Sequence, residues 1–203
     1  MTIEEQKIAR QDFKLAILFA VLSIILSFVG YFFDNNNLSE IIDLLPSYII
    51  ICTWFYFRKY LENFNAKKAI VLSNWYIAVS IGLGLLILII ELLPEANISE
   101  QWYSVEYLKL LLIGFFIVIT LISVVIYIKL GIALQRVEND FIGLLKEFGM
   151  TVTYLFPVVI ILSIVCGLVE NTAISFLKSI ISNVPTVLMI MIFVRAQKAV
   201  KVN

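Results

Sequence analysis

The sequence predicts an all-α polytopic membrane protein, a bundle of six transmembrane helices. Three observations carry that expectation. Hydrophobic residues fill 62% of the 203 positions and charged residues only 15%, against roughly 45–50% and 25% in a soluble domain. The apolar residues gather into six segments, each near the roughly 20 residues that cross a hydrocarbon core. The basic residues alternate from flank to flank in step with six crossings. Barrel strands are excluded, because the runs exceed ~9–11 residues and show no inside/outside alternation. Lipid offers the backbone no hydrogen-bond partner, so the segments should be helices.

The first span, about 14–33, is apolar except for Ser23 and Ser27. Ahead of it, Thr2-Ile3-Glu4-Glu5 has the form of a capping box, so the helix is expected to start near residue 3. Its apolar stretch is too long for a signal peptide and has no small-residue cleavage site, which makes it a retained anchor. The second span, about 41–57, opens on Ile41-Ile42-Asp43 and contains Pro46. The remaining four are expected near 69–93, 105–128, 149–169 and 174–194, with Pro157 in the fifth and Pro185 in the sixth. All of 1–203 reads as one integral membrane domain.

Sidedness follows from Lys and Arg. Thirteen of them, from Lys7 to Lys201, fall on one set of flanks, and only Lys109 and Lys178 on the other. Both termini are therefore expected in the cytoplasm, with the protein in the bacterial cytoplasmic (inner) membrane. The net charge of zero divides into +6 on the cytoplasmic side and −6 outside. Trp54, Tyr56, Trp75, Tyr76, Trp102, Tyr103 and Tyr107 lie near span ends and read as interfacial anchors, since amphipathic rings favour the headgroup level. Between the fourth and fifth spans, Leu130, Leu134, Val137, Phe141, Leu144, Leu145 and Phe148 recur at helical spacing. An amphipathic cytoplasmic helix over 130–148, either extending the fourth span or lying in the interface, is expected there, with Gly131 and Gly143 as candidate bends.

Composition narrows the chemistry. Histidine is absent, which removes the commonest metal ligand and general base. Cys52 and Cys166 are the two cysteines, each inside a span, and no metal-ligand spacing, phosphate loop or nucleophile elbow occurs. No basic excess points to nucleic acid. No acid or base lies unambiguously at mid-membrane, which argues against ion-coupled transport and intramembrane hydrolysis. The expectation is a non-enzymatic protein with no cofactor and no metal.

Two kinds of feature remain. Small residues at Ala16, Ala20, Ser23, Ser27 and Gly30 form one seam on the first helix, and Ser175, Ser179, Ser182 and Thr186 form another on the sixth. Close approach at small residues supplies much of helix association in lipid. These seams could meet antiparallel within the chain or form a subunit interface. The third helix adds the pairs Ala78/Gly82 and Ser80/Gly84. The second feature is polar atoms beside helix breaks: Ser179, Ser182, Asn183, Pro185 and Thr186 could satisfy a carbonyl released by proline or bind a solute. A weak likeness between the second and sixth spans, LLPSYIIICTWFYFRKYL and NVPTVLMIMIFVRAQKAV, is compatible with three tandem helical hairpins or with lipid-facing composition alone.

The Ala16-x-x-x-Ala20 pair on the first of six helices resembles the substrate-binding subunits of energy-coupling-factor vitamin transporters. The resemblance covers that motif alone and assigns no ligand residue. The leading expectation is an accessory or scaffold subunit of a larger membrane assembly, its partners being the bilayer and other membrane subunits or further copies of itself. The alternative is a small-solute or lipid-like permease with its site on the sixth helix, substrate unspecified.

Overall fold

A computed structural model describes residues 3–29, 37–64, 66–92, 102–137, 140, 143–169 and 172–202. Its regular elements are α1 (Ile3–Val29), α2 (Asn37–Leu61), α3 (Lys67–Leu92), α4 (Trp102–Gln135), α5 (Leu145–Val169) and α6 (Thr172–Val202), with a 3-10 turn at Glu62–Phe64 after α2. Among the described residues there is no strand. Five helices carry stretches long and apolar enough to cross a membrane: Ile8–Val29, Lys67–Ile90, Tyr107–Gln135, Leu145–Ser163 and Ile174–Ala199. The sixth, α2, is apolar after Pro46 and ends on Arg58-Lys59.

The helices run longer than the expected spans. The shortest have 25 residues and α4 has 34, or about 38–51 Å at 1.5 Å per residue, more than the ~30 Å hydrocarbon core. α1 starts by residue 3, as its capping box suggests; Thr2 itself, like Gly30, lies outside the described residues. None of Pro46, Pro157 and Pro185 ends its helix.

Each helix packs on the next in sequence, and α6 returns to α1, so the six close into a ring. Neighbours are antiparallel. Phe13 meets Phe193 while Phe28 meets Phe176, and Trp54 meets Tyr76 while Tyr48 lies against Gly84. The ring shows no division into hairpins 1–2, 3–4 and 5–6. A close backbone approach at Gly131 and Gly149 joins α4 to α5, across such a boundary.

The buried core sits toward one end, the end bearing Lys14, Arg58, Lys67, Lys129, Lys146 and Arg195. Every helix sends apolar side chains there, among them Phe13, Phe57, Ala69, Leu130, Phe148 and Phe193. Trp54 is 1% exposed and is ringed by Phe57, Tyr76, Tyr127 and Phe148, with centroids 4.8–5.9 Å away. This corrects its expected role: Trp54 is a core residue, not an interfacial anchor. Trp75, on the next helix, is 59% exposed and stays at the surface.

The segment 130–148 is not one helix. Leu130 and Leu134 complete α4, which unwinds through shorter-range bonds from Arg136 N to Ala133 O (3.3 Å) and Val137 N to Leu134 O (3.2 Å). Asp140 then acts on α5: its carboxylate accepts from Leu145 N at 2.6 Å, where the helix amides lack partners and the dipole favours an anion. Gly143 takes φ +72°, the left-handed region glycine enters freely, so the expected bend is there. The bend expected at Gly131 is absent.

Gly131 instead lets two backbones touch. A Cβ there would lie 2.7 Å from the Gly149 carbonyl oxygen, and a Cβ on Gly149 would lie 2.5 Å from the Gly131 carbonyl oxygen. Beside this crossing Gln135 Nε2 donates to Thr153 Oγ1 at 3.1 Å. Gly131→Ala and Gly149→Ala should each destabilise the bundle by about 1–3 kcal/mol or more through overpacking. Gly82→Ala and Gly114→Ala meet nothing within 4 Å and should be neutral or gain from better helix propensity. Thermal unfolding in detergent checks this; equal melting of all four variants would contradict the crossing.

Candidate functional site

In a bilayer a polar side chain must find a partner within the protein. Many hydroxyls here bond back to their own helix: Thr120 to Phe116 O at 2.7 Å, Ser123 to Thr120 O at 2.7 Å and Ser163 to Val159 O at 2.8 Å. Such bonds use the hydroxyl's one donor within its own helix and leave its oxygen free to accept only. The informative polar contacts are those between helices.

They lie along α1. Ala16 and Ala20 are fully buried and Ser23 is 4% exposed, so this stripe packs inside the ring rather than against another subunit. Ser23 Oγ donates to the Pro46 carbonyl of α2 at 3.0 Å. About one turn further on, Ser27 is reached from α6, where Asn183 Nδ2 donates to Ser27 Oγ at 2.8 Å and to its own helix at Ser179 O, also 2.8 Å. Helices α1 and α6 thus meet antiparallel within the chain, with Asn183 making the polar contact and Ser182 of the expected α6 seam exposed. One serine ties α1 to each of its two neighbours.

This geometry separates the residues grouped by sequence. Ser179 and Asn183 are half-buried and Pro185 and Thr186 buried, while Ser182 is exposed with Oγ turned to Ser179 O at 3.0 Å. Asn183 and Ser182 both bond the Ser179 carbonyl rather than one a full turn before Pro185. The Asn183 amide serves the helix pair.

The two small-residue pairs of α3 also part company. A Cβ on Gly84 would sit 2.9 Å from the Tyr48 hydroxyl, so Gly84 admits the α2 ring. Ala78 is exposed and Gly82 has open space beside it. Asn74, one turn before Ala78, is exposed as well, although it lies inside the apolar stretch Lys67–Ile90. The spacing Asn74, Ala78, Gly82 places all three on one outward stripe. Sequence reading passed over Asn74 because a single Asn in an apolar run declares neither inward nor outward direction.

No constellation for chemistry is assembled. Among the described residues no three His, Cys, Asp or Glu side chains converge as metal ligands. Cys52 is exposed, Cys166 half-buried, and both are free. Near the basic end Tyr60 is buried, and its hydroxyl has no hydrogen-bond partner among the described residues. Burial raises its ionisation above the ordinary tyrosine range, with the Asp140 carboxylate adding to the effect, so it packs as a neutral ring. No family model, curated protein or solved structure matches the chain.

The Asn183–Ser27 bond should behave as a helix-pair contact. Asn183→Leu and Ser27→Ala should each lower stability, and a double-mutant cycle should return a coupling of about 0.6–1.7 kcal/mol, the range for such bonds in membrane bundles. Strict additivity of the two changes would contradict the assignment.

Proposed function

We propose that this chain is a non-enzymatic accessory or scaffold subunit that crosses a bacterial cytoplasmic membrane six times, with both termini inside. The observation that carries the reading is the outward stripe Asn74, Ala78 and Gly82. In lipid, helices gain nothing from burying apolar surface, so they associate through close contact at small residues and through interhelical hydrogen bonds. The other main small-residue seam, on α1, is filled by the chain's own helices. This one has a polar group and two small positions facing out, features that a partner helix would use and lipid would not. The Asn183 amide, engaged with Ser27 and Ser179, supports packing over a solute site.

Six crossings and cytoplasmic termini rest on charge. Thirteen of 15 Lys and Arg residues cluster on alternate flanks, the distribution that orients helices during insertion. The antiparallel ring supports the same reading, because α2 packs along α1 and α3 as a full member of it.

Single-cysteine chemistry tests both parts. In a Cys52→Ser/Cys166→Ser background, Ala78→Cys should cross-link in native membranes to a second polypeptide identifiable by mass spectrometry. Gly82→Leu should abolish that product without lowering the melting temperature. Lys198→Cys should react with an impermeant maleimide only when the cytoplasmic face is opened. An Ala78→Cys chain that yields no cross-link in its native membrane would overturn the scaffold reading; labelling of Lys198→Cys from outside would overturn the sidedness.

A further inference from the structure

The first turns of α3 and the last turns of α4 enclose a groove of about 650 Å³ at the basic end of the ring. Lys67 and Lys68 line one side, Lys129 and Arg136 the other, and among the described residues no acid lines it. Between described residues none of these four cations is joined to an acid in an ion pair. Among the described residues, the groove gathers four cations without an acid between them. Lys67 and Lys68 open a 26-residue helix, where the macrodipole repels cations and the unpartnered amides favour an anion.

The groove continues along the membrane. A second trough of about 540 Å³ shares Leu72 and Lys129 with it and is lined by Trp75, Val118, Leu121 and Val125. These side chains lie on the apolar stretches of α3 and α4 and are exposed, Trp75 by 59% and Leu121 by 61%. From Val118 to Lys129 the trough covers about 16 Å of helix, close to the depth of one leaflet. A cationic mouth leading into an apolar trough of that length fits a molecule with a phosphate at one end and a hydrocarbon chain behind it. A free phosphate would leave the trough empty, and a neutral lipid would bring no anion to the cationic mouth.

We propose that the α3–α4 groove is a binding site for one anionic glycerophospholipid of the leaflet at the basic end. Lys68, Lys129 and Arg136 hold the headgroup phosphate, and an acyl chain lies against Trp75 and Leu121. Basic pockets between membrane helices are suited to such headgroups. The site does not depend on whether α3 also docks a partner.

Tryptophan quenching by acyl-brominated lipids tests it on the full chain in detergent micelles. Brominated phosphatidylglycerol should quench at a mole fraction roughly tenfold below brominated phosphatidylcholine, the scale expected from a few cations beside one anion. Trp75→Phe should remove that high-affinity quenching. Lys68→Gln/Lys129→Gln should erase the preference for the anionic lipid, whereas Lys14→Gln/Lys146→Gln, with the same loss of charge elsewhere on the basic end, should retain it. Equal quenching of the wild-type chain by the two lipids would overturn the site. So would loss of preference in both double variants, which would indicate diffuse attraction to the basic face, or full competition by glycerol phosphate, which would indicate an anion site without a chain.

Discussion

The aromatic cluster around Trp54 is the contact on which the ring depends. It is where the helices meet: Phe13 comes from α1, Trp54 and Phe57 from α2, Tyr76 from α3, Tyr127 from α4, Phe148 from α5 and Phe193 from α6. Lipid tails are as apolar as leucine, so expulsion of water does not draw these helices together. Packing must do so, and aromatic rings offer the largest contact area per side chain, about 150–250 Å² each. Many of the pairs are edge-on, as Trp54 with Phe57 at 86° and Tyr127 at 66°, an arrangement the ring quadrupoles favour. The Gly131–Gly149 crossing lies on the same half of the bundle and lets α4 and α5 approach closely enough for Tyr127 and Phe156 to sit 4.3 Å apart.

Around this closed end the polar groups divide by direction. Those directed inward hold the ring: Ser23 to α2 and Ser27 to α6. Those directed outward give the surface its character; besides Ser163 on α5 and Ser182 on α6, they include polar groups of α3 and its neighbour α4. There the stripe from Asn74 to Gly82 and the basic groove beside it lie on adjoining faces. Much of the remaining described exterior is large apolar side chains such as Leu18, Ile89, Leu110 and Ile161, which lipid accommodates without specificity.

The helices themselves were legible because lipid forces the matter: an apolar run of span length has few alternatives to an α-helix. The burial of Ala16, Ala20 and Ser23 on α1 follows their small-residue spacing, whereas the serine spacing on α6 did not mark its contact, since Ser182 is exposed and Asn183 makes the bond. Trp54 was not. A tryptophan near the end of a span has the same sequence context whether it faces headgroups or neighbouring rings, and Trp54 and Trp75 take opposite environments. The break after Gln135 was hidden for a related reason, since Leu130 and Leu134 continue the helical period of Leu144, Leu145 and Phe148 across a gap that Asp140 and Gly143 create. The basic groove needs the end of α4 brought beside the start of α3. Counting charges along the chain located its residues on one side of the membrane without pairing them.

The most direct measurement compares Trp54→Ala with Trp75→Ala in thermal or denaturant unfolding of the detergent-solubilised chain. If the aromatic cluster closes the ring, Trp54→Ala should cost about 3–5 kcal/mol, the loss expected for a large buried aromatic, and Trp75→Ala should remain within about 0.5 kcal/mol of wild type, as for most surface changes. Equal, small losses at both positions would contradict the account, because the helices would then be held by something other than the rings around Trp54.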